Sequence, residues 1–166
     1  MRCPVCGFDN LLGSDICDNC GSDLAGHDVP QSATTFRGHL LGQPLDALAM
    51  GAPETLDIDG SVDEAIQRMH ETGADCILVT AAGRLVGIFT DRDAVVKVAG
   101  QGVGSRAIAE LMTRDPVVLR HDETIAVAIN KMAVGGFRHI PIVEHGRPTG
   151  VVTARDVFRH LVESLG

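Results

Sequence analysis

The chain has 166 residues, 45% of them hydrophobic but only 3% aromatic, with no Trp and no Tyr, so its core is built from Val, Ile, Leu, Ala and Met. The 14 basic and 22 acidic residues give a net charge of −8, which excludes a general nucleic-acid or anionic-membrane surface, since either needs a positive field. No apolar run approaches the ~20 residues of a membrane span, and the opening Met-Arg-Cys-Pro-Val-Cys is not an apolar signal segment, so a cytoplasmic location is expected.

Residues 1–26 hold two matching knuckles, Cys3-Pro4-Val5-Cys6-Gly7 and Cys17-Asp18-Asn19-Cys20-Gly21. Two such pairs on tight turns supply the tetrahedron of thiolates that suits Zn²⁺. The glycine after each second cysteine lets backbone N–H groups turn toward sulfur. A segment this short cannot hold a core alone, so the metal supplies its folding energy. The pattern resembles a short zinc ribbon. A rubredoxin-like iron centre is the alternative, because four sulfurs suit both metals. Nucleic-acid contact is disfavoured, since Arg2 faces Asp9, Asp15, Asp18 and Asp23 in the same segment. The fifth cysteine, Cys76, opens an apolar run and reads as a buried, inert thiol.

A polar linker is expected over 27–43. Beyond it the chain repeats itself without a gap at an offset of 116 − 53 = 63 residues. Pro53, Asp59, Met69, Gly73, Thr90 and Asp93 recur as Pro116, Asp122, Met132, Gly136, Thr153 and Asp156. The first unit is read over 44–99, a short linker over 100–105 and the second unit over 106–166. Each unit opens with a short helix, carrying Leu45 and Leu48 or Ile108 and Leu111, and a brief strand at Leu56 or Val117-Val118-Leu119 follows. Val62, Ala65, Ile66 and Met69, like Ile125, Ala128, Ile129 and Met132, then mark one apolar helix face. Ser61 and Thr124 stand at the N-caps, Gly73 and Gly136 at left-handed C-terminal positions. A hairpin turning at Ala82-Gly83 or His145-Gly146 comes next, and Pro141 predicts an edge strand there. A last helix opens at Thr90 or Thr153 and carries Ala94, Val95 and Val98, or Val157, Phe158 and Leu161. The fold class is α/β: two similar units in a pseudo-two-fold arrangement, plus the small ribbon.

Thr90-Asp91-Arg92-Asp93 and Thr153-Ala154-Arg155-Asp156 stand where a strand hands over to a helix. One reading is a capping box, Thr with a carboxylate three residues on. The other is a nucleotide site: a helix N-terminus and Thr for phosphate or sugar, Asp for ribose hydroxyls, Arg92 and Arg155 for phosphate. Gly87 and Gly150, three residues before each Thr, leave room beside the strand.

Both copies resemble the cystathionine-β-synthase (CBS) domain, and the tandem resembles a CBS pair, or Bateman module. The resemblance rests on Asp122-x-Thr124-Ile125, Ala128-Ile129-x-x-Met132, Arg138-His139-Ile140-Pro141 and Gly150-Val151-Val152-Thr153-x-x-Asp156, with Asp59-x-Ser61-Val62, Ala65-Ile66-x-x-Met69 and Gly87-Ile88-Phe89-Thr90-x-x-Asp93 in the first copy. It implies two clefts between the repeats for adenosyl ligands: AMP, ADP or ATP, sometimes S-adenosylmethionine or NAD. Asp93 and Asp156 carry over to ribose, Thr90 and Thr153 to phosphate or sugar, Arg138 and His139 to phosphate. Val117 and Ile140 carry over loosely to adenine. The first copy has Asp75-Cys76-Ile77-Leu78 at the basic step; since the clefts lie between the repeats, Arg138 and His139 can serve both, but unequal clefts are expected, one good site or one tolerant of a less charged ligand, with the ligand in the second copy. The family's habit of pairing implies a homodimer through flanking helices.

No nucleophile–base constellation, Walker-type loop or Gly-x-Gly-x-x-Gly is present. A non-enzymatic sensor that binds an adenine nucleotide and signals to a protein partner is therefore expected. The alternatives are an interaction adaptor with empty clefts and an iron electron carrier fused to the pair.

Overall fold

The computed structural model describes residues 3, 5–10, 16–24, 42–48 and 50–165. Most of the linker predicted at 27–43 lies outside them. The chain divides into two compact units, 1–40 and 41–166.

In the second unit a 3₁₀ turn, Leu45–Ala47, precedes β1 (Thr55–Asp57) and the helix Val62–Thr72. The hairpin β2 (Cys76–Ala81) and β3 (Arg84–Thr90) follows, with an α-turn, Asp91–Asp93, and a π-helical turn, Ala94–Val98. The second copy gives the 3₁₀ turn Ile108–Glu110, β4 (Thr113–Arg114), the helix Ile125–Gly135, β5 (His139–Glu144), β6 (Arg147–Thr153) and the helix Ala154–Leu165. One sheet runs in the order β1-β2-β3-β4, and β5 and β6 form a second.

Local sequence explains most boundaries. The Glu64 N–H donates to Ser61 Oγ at 3.1 Å and the Val127 N–H to Thr124 Oγ1 at 3.4 Å, so both central helices start on a hydroxyl cap. They end on Gly73 and Gly136 at φ +71° and +67°, a left-handed conformation that favours glycine. Both hairpins turn through two left-handed residues, Ala82-Gly83 and His145-Gly146. Each carries a register shift at the same repeat position, Val79/Thr80 and Ile142/Val143.

The expected opening helices are single 3₁₀ turns, and their packing crosses the repeats. Leu45 and Leu48 are buried with Leu119, Ile125, Ile140 and Val152 of the second copy, while Ile108 and Met112 are buried with Val62, Ile77, Val79 and Phe89 of the first. Backbone bonds fix the exchange. The Leu45 N–H donates to the Glu123 carbonyl at 3.2 Å, and the Ile108 N–H to the Gly60 carbonyl at 2.8 Å. Each core thus takes its opening turn from the other copy, and burying such a side chain contributes about 1.5–3 kcal/mol.

Two further expectations change. In the first copy β1 pairs in parallel with β2 over three residues, anchored by the Leu78 N–H donating to the Glu54 carbonyl at 2.9 Å. In the second copy Pro141 stands at the Leu78 position and has no N–H to give, so the strand expected at Val117-Val118-Leu119 shrinks to one bridge, Leu119 with Ile142. The last helix of the first copy is also short. Val95, Val96 and Val98 are β-branched and lower helix propensity, the Ala99 N–H closes back on the Ala94 carbonyl at 3.1 Å, and a turn follows.

Candidate nucleotide clefts and metal centre

The Thr-x-Arg-Asp segments are capping boxes. Thr90 N–H and Oγ1–H both donate to Asp93 Oδ2 at 2.9 Å, and the Asp93 N–H returns to Thr90 Oγ1 at 3.3 Å. In the second copy Thr153 N–H and Oγ1–H donate to Asp156 Oδ2 at 3.1 and 2.6 Å, and the Asp156 N–H to Thr153 Oγ1 at 3.1 Å. The other carboxylate oxygen faces a cation in each: Lys97 is 2.8 Å from Asp93 Oδ1, and Arg159 is 4.0 Å from Asp156 Oδ1. The capping bonds engage Oδ2 of each carboxylate and leave Oδ1 to these cations.

Each box lines a cleft whose other wall comes from the opposite repeat. The first cleft, of about 230 Å³, sets Ile88, Thr90, Arg92 and Asp93 against Pro116, Val117, Phe137, Arg138 and His139. The second, of about 180 Å³, sets Val151, Thr153 and Asp156 against Pro53, Glu54, Ala74, Asp75 and Cys76, with His139 at its edge. The lining positions correspond at the 63-residue offset: Thr90 with Thr153, Asp93 with Asp156, Pro116 with Pro53, Arg138 with Asp75. Between the clefts, two ion pairs join the repeats, Arg138 with Asp91 at 3.5 Å and Arg155 with Asp75 at 3.7 Å.

This crossing changes the expectation about which copy holds the richer site. Arg138 and His139 form the wall opposite Thr90, Arg92 and Asp93; both also line the space beside Thr153 and Arg155, and His139 reaches the second cleft. Thr153 and Asp156 face Glu54 and Asp75 instead, and Arg155 is drawn to Asp75. Val117 lines the first cleft as expected, whereas Ile140 is fully buried in the second core and lines neither. Gly87 does not leave room for a ligand: a Cβ there would overlap the Met112 sulfur, so the glycine admits a core side chain. At Gly150 a Cβ would make ordinary contact, 3.6 Å from Ile142 Cδ1. Glu54, Phe137 and Ala74 were missed as lining residues; the signal was their place beside Pro53 and before each basic or acidic step.

Two pKa shifts follow from this architecture. Burial pushes His139 below its ordinary value, with Arg138 adding to the effect and Asp91, Asp75 and Asp156 opposing it. Burial, reinforced by Asp75 and Asp91, pushes the Cys76 thiol up to about 12, which makes it the inert thiol expected.

In the first unit Cys3, Cys6, Cys17 and Cys20 have their sulfurs within 4.8 Å of one another. The Cys3–Cys20 and Cys6–Cys17 sulfurs are 3.7 and 3.6 Å apart, close to the ~3.8 Å edge of a tetrahedron with 2.3 Å metal–sulfur bonds. The knuckles are duplicated in detail: the Gly7 N–H donates to the Cys3 carbonyl and the Gly21 N–H to the Cys17 carbonyl, both at 2.9 Å. Asn10, which sequence reasoning missed, is buried and ties the two together. Its amide donates to the Phe8 carbonyl and to Cys17 Sγ, at 3.1 and 3.5 Å, while its oxygen accepts from the Asp18 N–H at 2.9 Å. Burial opposes ionisation of Cys17, but the N–H groups of Cys20 and Asn19 and the Asn10 amide prevail and hold its thiol at about 6. The donor set fits Zn²⁺ or iron, and Cys3, Cys17 and Leu24 form a small core beneath it.

The model of the CBS domain family matches residues 48–100 and 108–163. A CBS domain-containing protein of Arabidopsis thaliana is 29% identical over 139 residues, 82% of this chain and 24% of its own length. The chain spans 19–24% of the first curated relatives that it matches. Among solved structures, a CBS-domain-containing protein of Agrobacterium tumefaciens is 35% identical with a TM-score of 0.60, covering 66% of this chain and 90% of that one. The CBS domain pair of protein MJ0100, in complex with 5-methylthioadenosine and S-adenosyl-L-methionine, is 27% identical with a TM-score of 0.63, covering 70% and 96%. A CBS domain protein of Pyrobaculum aerophilum complexed with AMP shares the fold at 21% identity and a TM-score of 0.65, covering 74% and 98%. With both repeats matched over more than half of its length, the chain belongs to the CBS-domain family, as a tandem pair.

Proposed function

We propose that residues 44–166 form a non-enzymatic regulatory module whose clefts bind adenosyl ligands, and that the four-cysteine unit is a zinc-stabilised ribbon. The observation that carries this reading is the construction of each cleft from both repeats. A ligand on Thr90 and Asp93 also meets Arg138 and His139, so binding energy differs between arrangements of the two repeats and biases them. That differential is what a protein partner reads. Exposed apolar positions on the closing helical segments, Val95 and its repeat equivalent Phe158, support a homodimer.

Differential scanning fluorimetry with AMP, ATP and S-adenosylmethionine tests the module. A ligand at about 100 times its Kd stabilises by ~2.7 kcal/mol, or roughly 5–10 °C for a chain of this size. Asp93→Ala with Asp156→Ala should abolish the shift. No shift with any of the three, or a shift that this double variant leaves intact, overturns the reading. The capping boxes favour one alternative, an adaptor in which Thr and Asp serve structure alone; partner capture unaffected by adenosyl ligands would support it.

A further inference from the structure

We propose that the two clefts are sorted by charge: the first takes a phosphorylated adenosyl ligand, and the second excludes phosphate and takes an adenosyl nucleoside bearing a positive charge. This deepens the adenosyl reading and rests on it.

The ribose-facing pair is the same in both, Thr90 with Asp93 and Thr153 with Asp156. What surrounds the pair is not. Val117 of the first cleft is replaced by Glu54 in the second, and Arg138 by Asp75. Counting also the arginine of each Thr-x-Arg-Asp segment and the cation beside each Asp Oδ1, the first cleft carries three cations, Arg92, Arg138 and Lys97, against Asp93. The second carries three anions, Glu54, Asp75 and Asp156, against Arg155 and Arg159. Formal charge is therefore +2 in the first and −1 in the second. Asp91, 3.5 Å from Arg138, brings the first to +1; the same pair lines the space beside Thr153 and Arg155, where its charges cancel and leave the second negative.

Arg155 does not rescue phosphate binding in the second cleft. Its guanidinium is 3.7 Å from Asp75, so a phosphate would have to displace that carboxylate or sit beside it. His139 borders both clefts, but burial disfavours its charged form. A phosphate roughly 6–8 Å from one uncompensated carboxylate, that of Glu54, loses about tenfold or more in affinity at an effective dielectric near 20. A sulfonium or ammonium at the same place gains from it.

Isothermal titration of the full chain with AMP, S-adenosylmethionine and S-adenosylhomocysteine tests this, the last two differing in the sulfonium methyl and its charge. We expect one AMP per chain, with a second site at least about tenfold weaker. S-adenosylmethionine should bind the AMP-saturated protein, and about tenfold tighter than S-adenosylhomocysteine. Glu54→Val with Asp75→Arg, which copies the first cleft into the second, should raise AMP stoichiometry to two. Glu54→Gln with Asp75→Asn keeps the side-chain shapes and should narrow the gap between the two sites. Arg138→Ala, at an exposed position, should weaken AMP and leave S-adenosylmethionine unchanged. Two equivalent AMP sites in the wild-type protein overturn the sorting while sparing the adenosyl reading. So does competition of S-adenosylmethionine with AMP for one site, or equal affinity for the sulfonium and its neutral analogue. Binding of none of the three overturns both.

Discussion

His139 lines both clefts, and it does so as a half-buried imidazole held below its ordinary pKa. Burial penalises the cation in the folded protein but not in the unfolded chain, which takes up a proton near pH 6.5. The unfolded state therefore binds more protons below that pH, and stability rises with pH there. The stability contributed by neutral His139 is complete above about 6.5 and is lost as pH falls from there to the depressed folded value. Thermal melts from pH 7.5 to 5.5 should show this loss, and His139→Gln should flatten it; an unchanged slope would remove His139 as the cause. At this scale the capping pairs Thr90 with Asp93 and Thr153 with Asp156 were legible in the sequence, because bonds spanning three residues tie them to their own helix starts. It did not reveal that Arg138 faces Asp91 or that Arg155 faces Asp75. Those partners lie in opposite repeats.

Elements whose ends are set by local bonding were legible. The hydroxyl caps at Ser61 and Thr124, the left-handed glycines and the two-residue hairpin turns stand where the sequence placed them. Elements that depend on a neighbour were not. The strand at 117–119 fails because Pro141 cannot donate to it, and the helix after Thr90 closes as a π turn. The closing segments also settle which apolar side chains are free. Ala94 and Val98 pack on the first core and Val157 on the second, whereas Val95 is 69% and Phe158 67% exposed. Val95 and Phe158 are repeat equivalents, so a pseudo-two-fold unit presents both as one kind of surface, and a second copy of the chain can cover them. Phe158→Glu should shift the protein to monomer in sedimentation velocity and leave its melting temperature within about 2–4 °C of wild type, since exposed substitutions cost little. A wild-type chain that already sediments as a monomer rejects the dimer.

At the scale of the molecule, the four-cysteine unit and the repeat unit stand on different energetics. Among the described residues the first has a core of Cys3, Cys17 and Leu24, and in the proposed ribbon metal binding would supply its folding energy. Elemental analysis should find one zinc per chain, and one iron would instead support the electron-carrier reading. Chelation should expose four thiols to a disulfide reagent, while Cys76 stays unreactive because burial holds its thiol near 12. Four reactive thiols before chelation would remove the metal centre. The repeat unit is held by two cores, each of which borrows an opening turn from the other copy.

The sequence by itself determined the cysteine cluster, the doubled α/β unit, the caps and the family, since all of these depend on residues close together in the chain or on a pattern repeated at a fixed offset. Only the tertiary structure decided which half-sites meet. An offset of 63 residues states that two units are alike, but it carries no information on how they exchange their opening turns or face each other. That packing is set by contacts between side chains far apart in sequence, and it joins a basic wall to Thr90 and Asp93 and an acidic wall to Thr153 and Asp156.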